Sequence, residues 1–286
     1  MKRFAIQYAS GLFSDRNWKQ AWSRLKPGAA DTLALLGNCG SVANSAAKEQ
    51  TYKFMRKATA HWDHILWVMG PHEFTSDTRH KTPFYEQRDA LKEIAKGVGG
   101  GGNILILDQT ELVVPGAGAV ILGVSGWGRL ATSEERIPAP EGQSIWFADE
   151  VGRRPLTAAV LEDWAAGDME WLTERVEWWS RHRPLTKIVI LSHGLCSPEL
   201  VGAAPPVVGR LHLDVLHPAD TLPLLLRPNV KGWLCGAAGS CVSGVVGRYR
   251  CFVGANSLFS AAGPVGTGSP AFLADRLFEV GGTKKA

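Results

Sequence analysis

Three short, almost continuously apolar runs, each ending at a glycine turn, restrict this chain more than any other feature. Phe4-Ala5-Ile6-Gln7-Tyr8-Ala9 exits into Ser10-Gly11, Asp31 to Leu36 into Gly37-Asn38, and His64 to Met69 into Gly70. A strand with one wet face alternates apolar and polar residues. Runs without alternation belong to strands covered on both faces, which means a sheet flanked by helices. The intervening segments supply those helices. Asp15 to Leu25 predicts a short one closed by Pro27-Gly28, and Asn44 can cap another that reaches Trp62, with Tyr52, Met55, Ala58 and Thr59 on one face. The opening third therefore predicts an α/β domain.

Past Gly70 the pattern changes. Glu86 to Lys96 is helical, and Gly99-Gly100-Gly101-Gly102 is a flexible connection. Ile104–Leu107, Leu112–Val114 and Val120–Val124 follow at hairpin spacing, which predicts antiparallel or mixed pairing. The polar, Pro-containing stretch 131–151 is expected to be a surface loop, and 201–220 a second loop or insertion. A long helix between them carries Leu161, Trp164, Trp171 and Trp178 on one stripe, with Leu172 and Trp179 on the next. Packing against a sheet explains such a tryptophan stripe more simply than a binding platform does. Ile188–Leu191, Gly232–Leu234 and Arg250–Val253 supply the last strands. No internal repeat or linker divides the 286 residues, so a single domain is expected over 1–286.

Composition excludes more than it selects. Hydrophobic residues at 45% and charged residues at 20% give a soluble globular class rather than disorder. A net charge of +4 without a dense Lys/Arg block does not indicate nucleic acid. The basic start Met1-Lys2-Arg3 is followed by a run that Gln7 and Ser10 interrupt. No stretch reaches the roughly 18 apolar residues of a membrane helix, so neither a signal peptide nor membrane insertion is expected. Five cysteines, an odd number in a long chain, read as reduced thiols and predict an intracellular, soluble protein.

The strand ends are where chemistry would sit. In chain order they read Ser10-Gly11-Leu12-Phe13, Gly37-Asn38-Cys39-Gly40, Gly70-Pro71-His72-Glu73, Leu191-Ser192-His193-Gly194 and Gly236-Ala237-Ala238-Gly239. This order resembles the calcineurin-like metallophosphoesterases, and the likeness runs from about Phe4 to Asn256. Asp168-Met169-Glu170-Trp171-Leu172 is similar to the helix before that family's fourth motif, and Val246 to Asn256 to its closing strand. The resemblance implies an α/β metallophosphoesterase-like sandwich of two mixed β-sheets flanked by helices. It also implies a site at the strand exits holding two divalent metals (Mn, Fe or Zn), which polarise a phosphoryl group and generate hydroxide.

Against that pattern the ligand positions are degenerate. Gly11 and Phe13 stand where the family has Asp and His, Asn38 where a bridging Asp belongs, and Pro71 where a ligating Asn belongs. Ala237 and Gly239 replace two histidines. The resemblance leaves Asn38 and His193 as vestigial metal positions and His72 as a vestigial phosphate-contacting histidine. One neutral imidazole does not hold a dication against water, so no metal cofactor is expected. The favoured reading is a catalytically inactive homologue, a pseudoenzyme that binds protein partners in an assembly of viral, organellar or cytoplasmic setting.

Three other readings compete. A divergent metal-dependent phosphoesterase could have a site rebuilt from Cys39, Cys196, Cys235, Cys241, His212, Asp214 or His217. An anion or nucleotide sensor could use His72 with Arg248 or Arg250. A serine hydrolase could use Ser125 in Gly123-Val124-Ser125-Gly126-Trp127, although Trp127 stands where a nucleophile elbow needs glycine.

Overall fold

The computed structural model describes residues 4–77, 79–98, 103–128, 143–196, 218–237, 241–256, 259–260, 263–264 and 273–280. Its first half runs β1 (Phe4–Ala9), α1 (Trp18–Ser23), β2 (Thr32–Leu36), α2 (Ser45–Ala58), β3 (His64–Val68), α3 (Pro71–Phe74), β4 (Thr75–Asp77), α4 (Phe84–Val98), β5 (Ile104–Leu107), β6 (Thr110–Val114) and β7 (Ala119–Val124). The second half runs β8 (Gln143–Asp149), β9 (Gly152–Pro155), α5 (Ala158–His182), β10 (Lys187–Ser192), α6 (Pro218–Leu225), β11 (Val230–Cys235), β12 (Cys241–Val246), β13 (Cys251–Asn256), β14 (Phe259–Ser260), β15 (Gly263–Pro264) and β16 (Leu277–Val280).

Two mixed sheets carry the architecture. A five-stranded sheet has the order β16-β1-β2-β3-β5, and a six-stranded sheet the order β12-β13-β11-β10-β7-β6. The interior strands pair in parallel, while β16, β12 and β6 add antiparallel edges. Between the sheets lies a hydrophobic core that includes Ile6, Tyr8, Leu36, Val68, Ile121, Leu191 and Leu234. The outer face of the first sheet packs on α1, α2 and α4 through Phe54, Met55 and Leu91. The second packs on α5 and α6 through Leu172, Val176 and Leu224. Helix, sheet, sheet, helix is the sandwich expected from strands apolar on both faces.

Local chemistry explains where the helices start. Asn44 Oδ1 accepts from Ala47 N at 2.9 Å, as expected of the cap of α2. Asn17 caps α1 in the same way, accepting from Gln20 N at 3.1 Å, so α1 begins three residues later than Asp15. Pro71 opens α3, where its missing N–H costs nothing.

Several expectations need correcting. Residues 143–149 of the stretch read as loop form β8, which pairs with β4 and β9; residues 131–142 lie outside the described residues. Of 201–220, residues 218–220 begin α6 and the rest lies outside the described residues. On α2 the buried face is Ala47, Thr51, Phe54, Met55 and Ala58, while Tyr52 is 38% exposed. On α5 the sheet takes the Leu172–Trp179 stripe, and Trp178 stays 40% exposed. No helix among the described residues is long and apolar enough to cross a membrane.

Candidate functional site

The parallel strands of both sheets deliver their exits to one end of the sandwich, and backbone hydrogen bonds tie those exits together. Ser10 N donates to Asn256 O at 2.9 Å, Gly11 N to Gly37 O at 3.1 Å, and Phe13 N to Asn38 O at 3.1 Å. Gly236 N and Ala237 N both donate to His193 O, at 3.0 and 2.9 Å. Ser10 Oγ closes the ring by donating to Gly236 O at 2.5 Å.

Glu73 holds this loop cluster from beneath. It is fully buried, yet its carboxylate accepts four backbone amides: Asn38 N at 2.8 Å, Cys39 N at 2.7 Å, Gly70 N at 2.9 Å and Gly40 N at 3.4 Å. Asn38 and the preceding Gly37 both take positive φ, which turns consecutive N–H groups inward to make this nest. Glu73 was missed as a site residue. Its only sequence signal is that it follows His72 in the third strand exit.

His193 is buried at the centre. Its Nδ1 donates to Leu36 O at 3.0 Å, which fixes the orientation of the ring. The ring lies against three glycines from three strand exits. A Cβ at Gly37 would fall 2.4 Å from His193 Nδ1, one at Gly70 2.8 Å from its Cγ, and one at Gly236 2.9 Å from Nδ1.

Asn38 Oδ1 lies beside the same Gly70, 3.0 Å from where a Cβ there would fall. It accepts from His72 N at 2.9 Å, so this oxygen is engaged at the start of α3. His72 Nε2 donates to the Asp15 carboxylate at 2.9 and 3.1 Å, a pairing with no sequence signal. Phe13 stands edge-on to the His72 ring at 4.5 Å, and the Arg16 guanidinium covers Phe13 at 4.6 Å. Arg248 and Arg250 do not join them. They precede β13, at the end of the sheet opposite its exit at Asn256, because β13 runs parallel to β11.

Among the described residues, the exits offer few side chains that could hold a two-metal centre. Gly11, Phe13, Pro71 and Ala237 offer no side-chain donor, the Asn38 oxygen accepts from His72 N, and the imidazoles of His72 and His193 remain. Among the described residues no group of three or more His, Cys, Asp or Glu could hold a metal ion. Cys196 and Cys235 meet behind β10 and β11, where Cys196 N donates to Cys235 Sγ at 3.4 Å, while Cys39 lies apart in the helix layer of the first sheet. Gly239, His212, Asp214 and His217 lie outside the described residues. Ser125 sits in the turn after β7, and its carbonyl accepts from His193 N and Gly194 N.

One buried acid supports the cluster from α5. Asp168 accepts from Gly126 N at 2.8 Å and from Gln109 Nε2 at 3.1 Å. Burial raises its pKa from 3.8 to about 6 against those hydrogen bonds. The folded protein thus keeps this proton up to about pH 6, while the unfolded chain releases it near pH 4. Stability from this group is complete below pH 4 and is lost as pH rises through 6, a change of about 3 kcal/mol. Urea midpoints between pH 4 and 7 should show that decline in the wild type and a flat segment in Asp168→Asn.

No protein-family model and no curated protein sequence matches the chain. Solved structures do match it. The phosphopantetheinyl hydrolase PptH from Mycobacterium tuberculosis is similar at 12% identity with a TM-score of 0.63, covering 91% of each chain. A dimetal phosphatase from Danio rerio is similar at 13% identity with a TM-score of 0.53, covering 89% of this chain and 87% of that one. Identities this low bear on the fold and not on the chemistry. The two facing mixed sheets, their helical layers and their shared strand-exit end are a metallophosphoesterase-like fold.

Proposed function

We propose that this chain is a catalytically inactive member of that architecture, a scaffold that binds partner proteins in a larger assembly. The observation that carries the reading is the donor set at the strand exits. Five positions that would have to supply ligands present Gly11, Phe13, Pro71, Ala237 and an Asn38 whose oxygen is hydrogen-bonded to His72 N. A phosphoryl-transfer centre of two cations about 3.5–4 Å apart needs a bridging anion and several ligands per ion. Glu73, a buried carboxylate among these turns, is surrounded by four backbone amides and serves the fold. The extensive hydrogen bonding among the exits supports a surface kept for its shape.

The anion-sensor reading is weaker, because the Asp15 carboxylate already takes His72 Nε2 and would repel an incoming anion. The rebuilt-metal reading has no geometric support among the described residues.

Metal analysis by mass spectrometry tests the proposal, on protein purified without chelator and then dialysed against manganese or zinc. The expected content is below about a tenth of an equivalent, since one or two imidazoles give no useful affinity. One or two tightly held ions per chain, with turnover of bis(p-nitrophenyl) phosphate, would overturn it.

A further inference from the structure

Two thiols meet on the helix side of the second sheet, beneath its strand exits. Cys235 is the last residue of β11 and packs in the same apolar cluster as Trp233. Its register partner on β10 is Ser192, and Cys196 follows four residues later. The intervening chain folds back. Ser192 Oγ donates to Gly194 O at 2.6 Å and accepts from the Trp233 indole at 2.8 Å, while His193 N and Gly194 N are held by Ser125 O. This turn lays Cys196 over the end of β11, where Cys196 N donates to Cys235 Sγ at 3.4 Å. That nitrogen is one bond of about 1.5 Å from its Cα, so Cys235 Sγ is within about 5 Å of Cys196 Cα, inside the reach of a disulfide.

The two sulfurs are not equivalent. Burial raises both thiols, but the hydrogen bonds that Cys235 receives from Cys196 and Ser192 pull it below its ordinary value, whereas Cys196 is pushed well above. Cys235 is therefore the attacking sulfur and Cys196 the resolving one. The remaining cysteines stand apart. In the β11–β13 register Cys235 faces Ala255, which places Cys251 four residues away along the strand, roughly 13 Å. Cys241 is two strands away on β12, and Cys39 lies in the helix layer of the other sheet.

We propose that Cys196 and Cys235 are a redox modification site, which closes to a reversible disulfide on exposure to a hydroperoxide. The Cys235 thiolate attacks one peroxide oxygen, the O–O bond breaks, and the leaving hydroxide takes up the thiol proton as water. Cys196 sulfur then attacks the resulting sulfenic acid: the S–S bond forms, the S–O bond breaks, and the second hydroxide leaves as water with the Cys196 proton. Two thiols and one hydrogen peroxide thus give one disulfide and two waters. Both thiols are fully buried, which favours an oxidant close to water in size, admitted when the exit loop opens locally. The bridge would tie the loop after β10 to the exit of β11. It does not depend on whether the strand exits bind partners or metal.

The test treats the full chain, reduced and freed of reductant, with hydrogen peroxide, then alkylates it in denaturant and maps the peptides. Two of the five thiols should resist alkylation, in one cross-linked peptide that joins Cys196 to Cys235, and dithiothreitol should restore both. The residues are 39 apart in sequence, so closing the bridge restrains the unfolded chain and should raise the melting temperature by about 5 °C or more. Cys196→Ala should stop at a sulfenic acid on Cys235, trapped by dimedone, and Cys235→Ala should keep its remaining thiols. Alkylation of all five thiols in the treated wild type overturns the proposal, as does a bridge between any other pair. Oxidation of Cys235 to sulfinic acid without a bridge overturns it too.

Discussion

Gly236→Ala should leave little folded protein. The added Cβ would lie 1.7 Å from Leu36 O and 2.9 Å from His193 Nδ1, and the first contact is with backbone at the end of a fully buried strand. Relief would require β2 and β11 to move apart at their exits. Those exits are fixed by the Gly236 N–His193 O bond and the Ser10 Oγ–Gly236 O bond. The cost should exceed the usual 1–3 kcal/mol of overpacking, at about 4 kcal/mol or more. Urea denaturation of whatever soluble fraction remains gives the measurement. Gly116→Ala is the matched control and should unfold at the wild-type midpoint, because its Cβ enters open space. If Gly236→Ala unfolded there as well, the close approach of the exits would be wrong.

Glu73→Ala carries the second large effect. The substitution leaves the amides of Asn38, Cys39, Gly40 and Gly70 buried without their acceptor, in a nest too tight to rebuild locally. Each lost amide partner costs on the order of 1 kcal/mol or more, and bonds to a charged acceptor more than that, so a loss of about 3–5 kcal/mol is expected. Glu73→Gln keeps the shape but has one acceptor oxygen and places an NH₂ against donor amides. It should fall between, at about 2 kcal/mol. The ordering Ala worse than Gln worse than wild type, read from denaturant midpoints at constant m, identifies hydrogen bonding rather than volume as the cause. Equal loss in both variants would mean that packing dominates instead.

How much of this could be read from residues alone varies by element. The buried parallel strands were legible because sequences such as Thr32–Leu36 and Lys187–Ser192 are nearly continuously apolar. β12 was not, because its sequence contains Ser243 and Gly244, which are exposed at a sheet edge and interrupt the apolar run. β9 was invisible for the same reason, since all four of its residues are exposed. On α5 Leu161 is buried and Trp164 and Trp171 pack against the core, but Trp178 is exposed, and the most buried stripe contains Asp168. A charged residue lowers that stripe against the tryptophan-bearing one unless its hydrogen-bond partners on Gly126 and Gln109 are known.

The site shows the same division. Which ligand types are missing is a matter of residue identity, so Gly11, Phe13, Pro71 and Ala237 could be read directly. The Asn38 oxygen serving His72 N, the Asp15–His72 pair and the glycine bed around His193 each join residues from different strand exits. No periodicity encodes such meetings. They follow only from the tertiary packing of the two sheets.

The pairing of β16 with β1 has a consequence for how the protein is made. Phe4 lies opposite Val280, Gln7 Nε2 reaches Ala274 O at 2.7 Å, and Arg276 Nε reaches Tyr8 Oη at 3.0 Å. Contacts spanning more than 260 residues close the first sheet. During synthesis, therefore, β1 can pair with β2 soon after both are made but has one side open until residues 277–280 have been made. That unpaired edge is a template for wrong partners throughout translation. Long-range closure is also slow, because chain entropy must be given up before the contacts form. The nascent chain thus has a period of exposure set by the residues between β1 and β16, and the four-residue β16 ends it.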